Sequence, residues 1–102
     1  IMLSSKQRAF LRGLANKADT ILYIGKGGLN DQIVKQCADA LKARELIKGK
    51  VLETAEISSR EAADELAKQT GSEVVQVIGT KFVLYKKNIK EPVIELPKAA
   101  EK

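Results

Sequence analysis

The sequence predicts an α/β fold: a single domain of order α-β-α-β-α-β-β, with a four-stranded mixed sheet stacked on helices. Three observations carry this expectation. Helical and strand periodicities alternate along the chain. Two capping boxes, Ser4-x-x-Gln7 and Ser58-x-x-Glu61, each open a helical stretch. Near the end, "EVVQVI", Gly79-Thr80 and "KFVLYKK" read as a tight β-hairpin. At 102 residues the chain fits one core, and it holds no internal repeat or low-complexity segment.

The first helix starts at Ser4 and should end near Asn16–Lys17. Its apolar stripe is read as Phe10, Leu11 and Leu14, with Arg8, Arg12 and Asn16 on a wet face. "TILYI" (Thr20–Ile24) is β-branched and aromatic, a short buried strand. After a run of glycines, Asn30 is a good N-cap for a second helix, and Leu29 and Val34 are placed to form a hydrophobic staple. Ile33, Val34, Cys37, Ala38 and Leu41 form its expected core stripe. "ELIKGKVLE" (Glu45–Glu53) reads as a strand with Lys48 and Lys50 on one face and Gly49 as a bulge or close contact. The third helix buries Ala62, Ala63, Leu66 and Ala67, shows Glu61, Asp64 and Glu65 to solvent, and stops at Gly71. "NIKEPVIELPKAAEK" reads as an extended tail, flexible over 98–102.

Composition removes several kinds of chemistry. With no histidine and one cysteine, neither a His-based acid–base pair nor a zinc cluster is available, so no enzyme and no metal or cofactor site is expected. Cys37 lies within an apolar stripe, the place of a small core residue. A lone cysteine, no apolar run near about 20 residues and a start that turns polar and basic at once together suggest a cytoplasmic protein without a membrane partner. The net charge of +5 is uneven: residues 1–50 carry +6 and the remainder −1. Such asymmetry points to a polyanion on one side of the molecule.

The centre of "ILYIGKGGLNDQIVKQC" is Gly25-Lys26-Gly27-Gly28, between a strand and a helix start. Glycines there serve either to turn the chain or to bring backbone N–H groups and Lys26 close to a phosphate. A dinucleotide fingerprint needs glycine at position 30, where Asn30 stands, and a Walker A loop needs Lys-Ser/Thr where Lys26-Gly27 stands. The four-residue G-x-x-G pattern that clamps a nucleic acid backbone in KH domains fits. Asp31 opposes it by competing for the same positive helix end.

"YIGKGGLND", "ALKARELIKGKV", "ELAKQTGSEVVQVIGTKFVLYKK" and "VIELP", in this order, resemble the CRM domain (chloroplast RNA splicing and ribosome maturation). More narrowly, the chain resembles its stand-alone bacterial YhbY-like members, over residues 3–97. Gly49 departs from the pattern, since relatives usually have an apolar residue there. The resemblance implies a fold similar to the C-terminal domain of translation initiation factor three. It also implies RNA binding associated with the precursor of the large ribosomal subunit, through the GxxG loop and nearby basic residues.

Carried onto this chain, the expected RNA-binding residues are Gly25, Lys26, Gly27 and Gly28, flanked by Arg8, Arg12 and Lys17 of the first helix and Lys35 of the second. Lys48 and Lys50 are weaker candidates, and Lys81, Lys86 and Lys87 read equally well as ordinary solvated charges. With only four aromatic residues, contacts should fall mainly on phosphates, which position without specifying sequence. The expected partners are large-subunit ribosomal RNA or pre-ribosomal particles, and possible ribosomal proteins, with no small-molecule substrate. The alternative is an adaptor whose basic half docks an acidic protein without touching RNA.

Overall fold

The computed structural model, which describes residues 3–97, begins its first helix at the first capping box. In α1 (Ser5–Asn16) the Ser4 hydroxyl accepts the Gln7 N–H at 3.1 Å, and the Gln7 side chain accepts the Ser4 N–H at 3.0 Å. α2 (Asp31–Arg44) starts at Asn30, whose side chain accepts the Ile33 N–H at 2.9 Å. α3 (Ser59–Thr70) opens on the second box. It closes at Gly71, whose φ of 74° lets the Gly71 and Ser72 N–H groups both reach the Ala67 carbonyl.

Four strands follow the expected order: β1 (Leu22–Ile24), β2 (Leu46–Val51), β3 (Glu73–Ile78) and β4 (Lys81–Tyr85). They lie side by side as β1-β2-β4-β3. β1 and β2 are parallel, joined by a crossover through α2, and the other neighbours are antiparallel. Side chains alternate across the sheet and so feed two cores. Leu22, Ile24, Ile47, Phe82 and Leu84 meet α2 and α3 through Cys37, Leu41, Ala62, Ala63 and Leu66. On the other face Leu46, Val75, Val83 and Tyr85 meet α1 through Leu11 and Ala15. The helices therefore cover both faces, α1 alone on one.

The structure corrects several sequence expectations. α1 is rotated relative to its predicted stripe: Phe10 and Leu14 remain 39% and 36% exposed, while Leu11 and Ala15 are buried. The Arg8 side, expected to be wet, flanks the sheet instead. Ala38 is exposed and Ala40 packs inward in its place. β1 is shorter than Thr20–Ile24, and its Tyr23 is 51% exposed, not buried. Of the two readings of Gly49, the close contact holds and the bulge does not. Gly49 is the cross-strand partner of Phe82, and a Cβ there would meet ring atoms Cζ and, at 2.7 Å, Cε1. The irregular register lies elsewhere, between Val74 and Gln76.

Glu45 departs furthest from its expected role. It caps α2 at φ 65° and is fully buried. Its carboxylate accepts the N–H groups of Asn88 (2.6 Å), Val93 (2.8 Å) and Ile94 (2.6 Å). Burial pushes this carboxyl up, but the three donors and the charge of Lys87 outweigh it, and the net shift is downward. The segment expected to be an extended tail is thus fastened to the domain through residues 88–97. Ile94 and Leu96 pack on the α1 core, and Gln7 donates to the Pro97 carbonyl at 3.0 Å. The stretch 98–102, predicted to be flexible, lies outside the described residues.

Candidate nucleic-acid interface

The Gly25–Gly28 loop leaves the C-terminal end of β1 and delivers the chain to the N-cap of α2. The Gly28 N–H donates to the Gly25 carbonyl at 2.9 Å, closing a tight turn with Lys26 and Gly27 at its tip. Only Gly28, at φ 66°, requires a glycine for conformational reasons. A Cβ on Gly27 would press on the Asn30 side chain at 3.3 Å, and one on Gly25 would touch Thr54 and Leu52. Glycine at these two positions keeps the backbone accessible and leaves the cap of α2 undisturbed. Lys26 is exposed, and none of the three ion pairs among the described residues involves it. A free cation, a small open turn and the positive end of a 14-residue helix therefore share one corner.

The other sequence-predicted residues divide by position. Lys35 lies one turn into α2, on its outer face, in an exposed pair with Asp39 at 3.1 Å. Such a pair contributes about 0–1 kcal/mol and leaves Lys35 available. Lys17, at the C-cap of α1, is exposed where that helix ends over the middle of the sheet. Arg12 is half-buried on α1. Arg8 is not brought to the loop. Its guanidinium donates to the Val74 carbonyl at 2.7 Å and lies 3.9 Å from Glu73, at the end of the sheet opposite the loop.

Among the weaker candidates, Lys48 points its ammonium at the carbonyls of Ala15 (3.1 Å) and Ala18 (3.5 Å), capping the negative end of α1. Lys86 does the same for α3 through the Thr70 carbonyl at 2.8 Å. Both are structural cations. Lys50 and Lys81 are different: they pair across β2 and β4 at the loop end of the sheet, where Lys81 lines a cleft with Ala15 and Asn16 at the end of α1. Tyr23 pairs with Lys50 from β1, and Ile78 pairs with Lys81 from β3. Sequence reasoning missed Tyr23 because a short apolar strand hides which of its residues faces outward.

Elsewhere the acidic side of α3 holds an exposed Arg60–Asp64 pair at 3.5 Å, on the sheet face opposite to that row. Cys37 is fully buried and burial raises its thiol to about 11, which makes it a core residue and a poor nucleophile. No helix among the described residues is long and apolar enough to cross a membrane.

An α/β domain with a mixed sheet between helices and a glycine-lysine turn at a helix start defines the class of protein at hand. The family model described as the CRS1 / YhbY (CRM) domain matches residues 3–86, and the chain belongs to this family. It is similar to YqeI of Bacillus subtilis, named a probable RNA-binding protein, with 47% identity over 94% of this chain and 100% of that protein. A Haemophilus influenzae relative named as an RNA-binding protein is 33% identical over 94% of this chain and 96% of its own length. The solution structure of SAV1595 from Staphylococcus aureus superposes with a TM-score of 0.77 at 46% identity, over 94% of this chain and all of that one.

Proposed function

We propose that this chain is an RNA-binding protein that acts on the precursor of the large ribosomal subunit. Its grip is on the ribose-phosphate backbone, at the Gly25–Gly28 turn, with Lys26 as the central charge. Lys17, Lys35, Lys50 and Lys81 extend the positive surface from both sides of the sheet, and Arg12 is half-buried on α1. Arg8 is withdrawn from the set because its donors are already engaged by β3.

The observation that carries the reading is the unpaired Lys26 on an open glycine turn at the start of α2. The names of the relatives supply independent support for RNA as the ligand. Phosphate contacts of this kind position a molecule on folded RNA without reading its sequence, so selectivity arises from RNA shape.

Affinity capture of the tagged chain from cells, with and without RNase, tests the proposal. Large-subunit ribosomal RNA should be recovered in the untreated sample, and RNase should release the co-purified ribosomal proteins. Partners that persist undiminished after RNase, with no RNA recovered, would favour an adaptor that docks an acidic protein.

A further inference from the structure

The row Tyr23–Lys50–Lys81–Ile78 crosses all four strands at one level of the sheet. Its side chains share the α1 face, yet α1 ends at Asn16, and Lys48 marks the boundary by capping it. Tyr23 is 51% and Ile78 62% exposed, and the two lysines stand between them. Adjacent strands are about 4.8 Å apart, so the row spans roughly 14 Å. The Tyr23 hydroxyl donates a long bond to the Thr20 carbonyl at 3.4 Å, which restricts the ring. Gly25 follows Tyr23 by two residues along the chain, so the strand that carries the ring leads directly into the turn.

We propose that this row is a platform on which one unpaired base of the bound RNA stacks against Tyr23, while Lys50 and Lys81 hold the flanking phosphates. The proposal rests on the reading of Gly25–Gly28 as a backbone clamp. An exposed apolar surface interrupted by two cations suits a ligand with flat faces and a regular negative charge. A nucleic acid strand has both, and every base offers a face to stack. The clamp alone is indifferent to pairing. The platform adds a preference for RNA in which an unpaired nucleotide lies beside a helix.

The test uses the full chain and a fluorescein-labelled RNA hairpin with short single-stranded extensions at both ends. A matched hairpin carries abasic extensions. Tyr23→Ala should weaken binding to the first RNA by roughly 5- to 150-fold, the range for loss of one stacked base. Tyr23→Phe should stay within about twofold of the parent, because the ring does the stacking. The abasic hairpin should bind the parent and Tyr23→Ala alike. Lys26→Glu should weaken both RNAs together. Equal affinity of Tyr23→Ala and parent for the base-bearing hairpin overturns the platform. So does an equal loss on both hairpins, which would assign Tyr23 a role other than stacking. An unchanged Lys26→Glu instead overturns the clamp on which the platform depends, so the two failures are told apart.

Discussion

At Gly49 the second strand yields its side chain to a ring from its neighbour. Phe82 is buried and lies over the Gly49 backbone, in the core shared with α2 and α3. Filling that space with a branched residue forces the ring to move. Gly49→Val should destabilise the domain by about 1–3 kcal/mol, the usual effect of overpacking a tight core. Adding Phe82→Leu should recover part of the loss, a coupling readable from urea unfolding of the two single variants and the pair. A fully stable Gly49→Val would show that the ring is not confined there. The sequence signals Gly49 as an anomaly in an otherwise regular strand. Its cause could not be read locally, because Phe82 is 33 residues away and reaches Gly49 only through β-pairing.

At the scale of elements, what is encoded within a few residues was legible. Both capping boxes and the Asn30 cap form as their local patterns require. The facing of α1 was not, since Phe10 and Leu14 are as apolar as Leu11, and only the position of the sheet selects the buried side. The strap over residues 88–97 was hidden for the same reason. Its anchor, Glu45, lies 43 to 49 residues from the N–H groups it binds. Glu45→Gln sets an amide NH2 against the Asn88 N–H and removes the charge. It should cost about 2 kcal/mol and release the strap to hydrogen exchange. The depressed folded value also fixes a pH dependence. The stabilising contribution is complete above the ordinary carboxyl value of 4.5 and is lost as pH falls through the lower folded one. In Glu45→Gln that share of the acid dependence should disappear. A variant with parental stability and the parental acid profile would remove Glu45 as the anchor.

Across the whole molecule, α2 and α3 seal one face of the sheet and α1 seals part of the other. What remains open lies at one end, where the Gly25–Gly28 turn, Lys50, Lys81 and Tyr23 gather. The turn was legible because its glycines and lysine are contiguous. The row was not, because it takes one residue from each of four strands and their register is a property of the assembled sheet. The uneven charge seen along the sequence has a partial spatial counterpart. Lys26, Lys50 and Lys81 face outward at this end, while Arg8, Lys48 and Lys86 are spent on carbonyl groups within the fold. The proposed clamp holds RNA phosphates here. It is tested most directly by the salt dependence of affinity for structured ribosomal RNA, in the parent and in Lys26→Glu. Counterion release predicts a linear fall of log affinity with log salt concentration, and a slope shallower by about one in the variant. Affinity that stays flat from low to moderate salt, or identical slopes for the two chains, would contradict it.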